Sequence, residues 1–340
     1  MTKLFAFIFI ILSLFIFSFD YNVDTIISKI TPPKKWPKPN YNFENNPITE
    51  AGFKLGRKLF YDPGLSRNNT ISCAHCHLQY TGFAHVDHRV SHGIDGKKGT
   101  RNAPALINLI WNTSFHWDGG VNHLEIQPIN PIVHPDEMDN SLINVLGYLN
   151  SSVAYKAIFF EVFNDSTISS SYLLKALTQF TESLISSNSK YDQYLKKERS
   201  FTKQEKNGLK LFKKNCNSCH TAPLFNSNNF ESNGIPIDTL FNDLGRYSIT
   251  RNPVDSLKFR VPTLRNIEFT FPYMHDGRYN TLRQVIDYYT EEIDIEDPQL
   301  SDQLRKNIRL SSNEKKDLIA FIKTLTDTDF LYNKRFSFPR

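Results

Sequence analysis

Cysteine is scarce. The 340-residue chain has four, and all of them fall in two short motifs, at positions 73 and 76 and at positions 216 and 219. No thiol remains for a disulfide framework elsewhere. Blocks of like charge are also missing, and a net charge of +5 is too mild to mark a nucleic-acid binder, although it suits docking with an acidic partner. No convincing run of alternating apolar and polar residues appears, so the chain does not read as a sheet protein. Its hydrophobic fraction of 40% and charged fraction of 22% exclude long-range disorder. The length accommodates two domains of ordinary size.

The N-terminus departs from this pattern. Lys3 precedes an uninterrupted, mostly apolar run from Leu4 to Phe19, and polar sequence begins at Asp20. A charged residue ahead of such a run resembles a secretory signal. Bulky Ile and Phe surround Ser18, so the small-x-small cleavage site is missing. The run is marginal for a membrane span. Residues 1–20 are therefore read as a signal peptide or an uncleaved anchor, with the rest of the chain exported. Residues 21–45, rich in Pro, Asn and Lys, read as a linker.

Helical patterns dominate thereafter. Leu173, Leu177, Phe180 and Leu184 fall on one face of an expected helix. Ser311 with Glu314, and Thr202 with Glu205, have the spacing of capping boxes; the first precedes Leu318, Ile319, Ile322 and Leu325 on one side. The chain also echoes itself. "GRKLF" at 56–60 and "GLKLF" at 208–212 each precede a Cys-x-x-Cys-His, "CAHCH" at 73–77 and "CNSCH" at 216–220. The polar stretch "NSKYDQYLKKERSFTKQ" supplies a boundary between two related modules, 46–200 and 201–340.

The cysteine motifs admit several chemistries. One four-cysteine zinc site would join pairs far apart in sequence and leave the trailing histidines unexplained. Tight disulfides or redox dithiols need no histidine, and no βαβ pattern surrounds either motif. Histidine makes up 10 of 340 residues, so two chance occurrences directly after Cys-x-x-Cys have odds on the order of one in a thousand, whereas haem attachment requires all five positions. The thiols add across the porphyrin vinyl groups, and the adjacent imidazole ligates the iron. Export suits that chemistry. The motifs therefore read as two c-type haem sites, Cys73, Cys76 and His77, and Cys216, Cys219 and His220.

The loop-rich stretch 92–138, with several histidines and two tryptophans, has the look of a functional loop region but names no reaction alone. Together with "GRKLFYDPGLS", "CAHCH", "GTRNAPALIN", "FHWDGGVNHLEIQ", "CNSCH", "FRVPTLRNIEFTFPYMHDGRYNTLRQVID" and "LIAFIKTL", it resembles the bacterial di-haem cytochrome c peroxidase family, which includes MauG-like enzymes. The matching elements run in family order from about residue 50 to 325. The resemblance implies a mainly α fold of two cytochrome c-like domains, each with one covalent haem, and long loops at their interface. It also implies a periplasmic enzyme that reduces hydrogen peroxide at the N-terminal haem with electrons relayed through the C-terminal one.

Further roles rest on the same resemblance. Gln127 and Glu137 fall on the family's distal polar pair, where a carboxylate moves a proton between the peroxide oxygens and an amide orients the ligand. Trp117 matches the tryptophan that relays electrons between the haems; Trp111 is taken as core. His92 falls near the place of a histidine ligand to the peroxidatic iron, with His85 and His88 as rivals. Conventional members ligate the second iron through methionine, but here the register places Tyr289 there, as in MauG-like enzymes, with Met274 and His275 as rivals. A tyrosinate stabilises oxidised iron and lowers its potential. Asn102, Thr270 and Pro272 match positions that give oxygens to an interdomain calcium ion. The implied partners are a small cytochrome c or cupredoxin donor, or a protein substrate in MauG fashion, with a homodimer as the implied assembly. The alternative from another class is a non-catalytic di-haem electron carrier.

Overall fold

The computed structural model describes Pro33 and residues 35–339. The expected signal or anchor, residues 1–20, and the first part of the expected linker lie outside the described residues. Among the described residues no helix is long and apolar enough to cross a membrane. The chain is mainly helical, and its sheet is a single two-residue pairing, Phe230–Glu231 against Phe259–Arg260.

The internal echo is structural. Helix Glu50–Phe60, which carries "GRKLF", packs on helix Ser170–Thr181, and helix Lys203–Asn215, which carries "GLKLF", packs on helix Ser312–Lys323. In both pairs the shared glycine is the crossing point. A Cβ on Gly56 would lie 2.0 Å from the Ala176 carbonyl oxygen, and one on Gly208 would lie 1.9 Å from that of Asp317. Only hydrogen allows the backbones so close. Thr202 and Glu205, and Ser311 and Glu314, form the expected capping boxes, satisfying N–H groups that the first helical turn leaves free.

Each pair anchors its own hydrophobic cluster. Phe53, Leu59, Phe60, Phe83, Leu177 and Phe180 belong to the first, and Phe212, Phe225, Leu318 and Phe321 to the second. All four apolar residues expected on one face of 173–184 are buried. The clusters do not divide strictly at residue 200: Tyr191 joins the second, while Phe330, Leu331 and Phe336 return to the first. The described end of the linker also packs. Trp36 meets Trp111 edge-on with ring centres 5.0 Å apart, and the Asn40 and Tyr41 N–H groups donate to the Ile110 carbonyl.

Loops between residues 85 and 118 are pinned to the later half of the chain. Arg101 bridges Asp118 at 2.5 Å and Asp243 at 2.6 Å, while Arg89 reaches Asp238 at 2.6 Å and Asp276 at 2.9 Å. These ion pairs hold the segment carrying Asn102 to Asp238, Asp243 and Asp276.

Candidate active site

Cys73–Cys76 form one helical turn begun at Ser72, and the His77 N–H donates to the Cys73 carbonyl. The turn sets both thiols and the imidazole side by side. All four cysteines are free thiols. The His77 ring is half-buried, and its Nδ1 lies 2.7 Å from the Phe83 carbonyl oxygen. Donation from Nδ1 leaves the Nε2 lone pair as the ligand atom. Burial lowers the His77 pKa to about 4, so the ring is neutral at pH 7 and ready for a metal.

The second motif repeats the device. His220 Nδ1 lies 3.2 Å from the Phe225 carbonyl, and burial lowers its pKa to about 4 as well. Phe83 and Phe225 share a left-handed backbone, with φ of 56° and 54°, and both rings are buried. A non-glycine residue in that region costs on the order of 1 kcal/mol or more; packing each ring into its cluster holds it there and aims the carbonyl at the histidine. Neither phenylalanine was singled out from the sequence. The signal was available, because one follows each Cys-x-x-Cys-His by five or six positions.

Of the expected distal residues, Glu137 and the histidine-bearing loop lie near the first motif. Glu137 follows the short helix Ile129–Val133, and its carbonyl accepts from the Ile94 N–H at 2.7 Å. Its carboxyl is largely buried, which raises its pKa, and its charge acts on both Cys73 and Cys76. Gly93 makes the approach sterically feasible, since a Cβ there would sit 2.1 Å from the Asp136 carbonyl oxygen. The neighbouring His92 carbonyl accepts from Cys76 Sγ at 3.4 Å. The three rival histidines lie together: the His88 and His92 ring centres are 4.1 Å apart, and His85 is 5.5 Å from His88 and 6.3 Å from His92. Gln127 ends the turn Leu124–Ile126 and is half-buried.

The second motif opens onto a largely apolar cavity lined by Cys216, Cys219, His220, Met274, His275 and Tyr289. Tyr289 lies on one π-helical turn, Tyr288–Glu292, that follows helix Leu282–Asp287; such turns recur at functional sites. Its hydroxyl accepts from Asn233 Nδ2 at 3.2 Å, and the same amide lies 3.6 Å from Met274 Sδ. Burial pushes the Tyr289 pKa up to about 12, with the Cys219 and Cys216 charges adding to it. His275 is stacked on Phe259, ring centres 3.7 Å apart. Asn233 is a further residue that the sequence did not flag. Trp117 is buried on the wall of this cavity and donates from Nε1 to the Asn102 carbonyl at 2.8 Å. Asn102, Thr270 and Pro272 line the same cavity.

Two half-buried imidazoles, each with its Nδ1 beside a carbonyl and two thiols on the preceding turn, are the donor set that a covalently bound haem requires. The fold and these sites define a mainly helical c-type cytochrome with two attachment motifs. The profile of the di-haem cytochrome c peroxidase family matches residues 50–200. Methylamine utilization protein MauG of Methylorubrum extorquens is 33% identical over 86% of this chain and 82% of its own. Cytochrome c551 peroxidase of Nitrosomonas europaea is 32% identical over 80% of this chain and 79% of its own. A solved MauG-like protein associated with microbial copper homeostasis superposes with a TM-score of 0.81 at 34% identity, covering 91% of this chain and 98% of its own. The chain belongs to the di-haem cytochrome c peroxidase family. It is an oxidoreductase of the peroxidase kind, with hydrogen peroxide as acceptor, and the family implies two haems.

Proposed function

We propose that peroxide is reduced at the motif of Cys73, Cys76 and His77, with Glu137 as the proton-transfer group. The observation that carries this reading is the half-buried Glu137, held against the first motif through the Gly93–Ile94 backbone. A haem held by Cys73, Cys76 and His77 would supply the redox chemistry that reduces peroxide. Glu137 takes the proton from one peroxide oxygen and passes it to the other, which turns the departing oxygen into water. The Gln127 amide orients the bound peroxide. Two electrons and two protons convert each peroxide into two waters. Trp117 would relay charge from the second motif, where His220 and Tyr289 are the residues that would hold the second haem. His92 is the side chain that would occupy the first site's remaining position and give way to peroxide.

Several finer assignments belong to the same proposal. Residues 46–200 form the peroxidatic domain and 201–340 the electron-transfer domain, each built on one glycine-crossed helix pair. Calcium at Asn102, Thr270 and Pro272 belongs to this proposal on the family resemblance, with oxygen donors as its ligands. The enzyme acts in the periplasm, with residues 1–20 as its export signal. Its donor is a small cytochrome c or cupredoxin, or a protein is oxidised at its surface, and the net charge of +5 favours an acidic surface on that partner. A homodimer is the proposed assembly.

The test is E137Q. Peroxide turnover should fall by about 10²–10⁴-fold with haem content unchanged. The wild-type rate should lose its basic form of Glu137 at a pH above the ordinary carboxylate range, because burial raises that pKa, and this limb should vanish in E137Q. Undiminished turnover with an unchanged pH profile would overturn the assignment.

A further inference from the structure

Three guanidinium or ammonium side chains are buried among the described residues: Arg260, Arg265 and Lys315. Arg265 pairs with Asp192 at 2.8 Å, and Lys315 pairs with Asp287 and Glu291. Arg260 has no carboxylate within ion-pairing distance among the described residues. It is 7% exposed, and its side chain makes one hydrogen bond, from Nε to the His116 carbonyl at 3.2 Å. A guanidinium carries five N–H donors and stays charged in proteins. A buried cation without a counter-charge is worth several kcal/mol of destabilisation. Burial alone lowers its pKa, to about 10, so the charge persists at pH 7 and calls for an anion.

The placement of Arg260 says which anion fits. Its side chain lines the cavity shared by Cys216, Cys219 and His220. The rest of that wall is largely apolar, including Val261, Leu264, Leu282 and Ile286. Glu231 is the cavity's one carboxylate, and it makes no ion pair with Arg260. The group that enters a cavity walled by Cys-x-x-Cys-His brings its own carboxylates, the two propionates on one porphyrin edge. A planar guanidinium matches a carboxylate through two parallel N–H bonds.

We infer that Arg260 would anchor a propionate of a haem held at the second motif. Arg260 is itself fixed to the segment between the motifs: its backbone N–H donates to the Trp117 carbonyl at 2.7 Å and its Nε donates to the adjoining His116 carbonyl at 3.2 Å. His116 is in turn within electrostatic reach of His77. One residue thus ties the second haem's charged edge to the segment between the two motifs. It also neutralises propionate charge that would otherwise stabilise ferric iron, and so raises that haem's potential.

The inference rests on the two-haem reading, and haem content separates the two: fewer than two haems per wild-type chain would overturn that reading and this one with it. Given two haems, spectroelectrochemical titration resolved by EPR reads Arg260. R260Q should lower the second haem's midpoint potential, leave the first haem's unmoved, and add a pH dependence from the released propionic acid. R260K, which keeps the charge, should hold the potential near that of wild type. Two loaded haems with both midpoints unmoved in R260Q would overturn the proposal, as would a wild-type midpoint that tracks chloride concentration, which would assign the site to a solvent anion. If R260Q does not mature, resonance Raman spectra of R260K decide. Loss of the two-bond contact should shift the propionate bending band of the second haem, and an unshifted band would overturn the assignment.

Discussion

At the scale of single residues, Glu182 makes the clearest thermodynamic case. It is fully buried just past helix Ser170–Thr181, and neither carboxyl oxygen has a hydrogen-bond partner. The nearby Tyr41 hydroxyl donates to Glu125 instead, at 2.8 Å. Burial, reinforced by the Glu125 charge, raises the Glu182 pKa from 4.5 to about 9, so the group is neutral when folded at pH 7. A pKa raised on folding means that the folded chain holds a proton the unfolded chain has released. The stability this confers is fully present below the unfolded pKa and is lost as pH rises through the folded one. The isosteric E182Q stays neutral throughout. Its unfolding free energy, measured by denaturant titration, should match that of wild type near pH 4.5 and exceed it increasingly toward pH 9, by up to about 1.4 kcal/mol per pH unit. Parallel stability curves for the two proteins would show that Glu182 is charged in the folded state. The residues assigned to haem attachment were legible in sequence because covalent attachment would fix their spacing. Glu182, Phe83 and Arg260 were not, because their roles depend on which distant groups fold around them.

At the scale of elements, the helices were legible and the way they cross was half legible. Periodicity and capping boxes located Ser170–Thr181, Lys203–Asn215 and Ser312–Lys323 because both signals are local. The repeated Gly-x-Lys-Leu-Phe announced two related modules, but not that its glycine is where the helices touch. The π-helical turn at Tyr288–Glu292 had no signal, since the sequence there continues an ordinary helical pattern. The crossing makes a sharp prediction. Alanine is favoured over glycine inside a helix by about 1 kcal/mol, so G208A would stabilise an isolated helix. In the folded protein its methyl would meet the Asp317 carbonyl oxygen at 1.9 Å, which forces the helices apart. Overpacking of this kind costs about 1–3 kcal/mol. Denaturant unfolding should show G208A destabilised despite its higher helix propensity, with G56A behaving alike at Ala176. A neutral or stabilising G208A would mean that the pair can separate freely.

At the scale of the whole molecule, the end of the chain works as a strap across the first helix pair, which no local sequence signal announced. The Tyr61 hydroxyl donates to the Phe336 carbonyl at 2.9 Å, Arg57 donates to the Arg335 carbonyl at 2.6 Å, and Gln79 donates to the Asn333 carbonyl at 2.7 Å. Arg335 also pairs with Glu50 at 2.6 Å, although both groups are partly exposed and such a pair contributes about 0–1 kcal/mol. The buried ring of Phe336 contributes more, about 1.5–3 kcal/mol for a side chain of its size. Removing residues 333–340 keeps Phe330 and Leu331 in the cluster and keeps the Asp327 cap on the Phe330 N–H, so the deletion takes away the strap alone. Amide exchange in helix Glu50–Phe60 should then accelerate while helix Lys203–Asn215, which packs on the second cluster, stays protected. Equal acceleration in both helices would mean that the two clusters unfold as one unit. Unchanged exchange in both would mean that the strap carries no stability for the first pair.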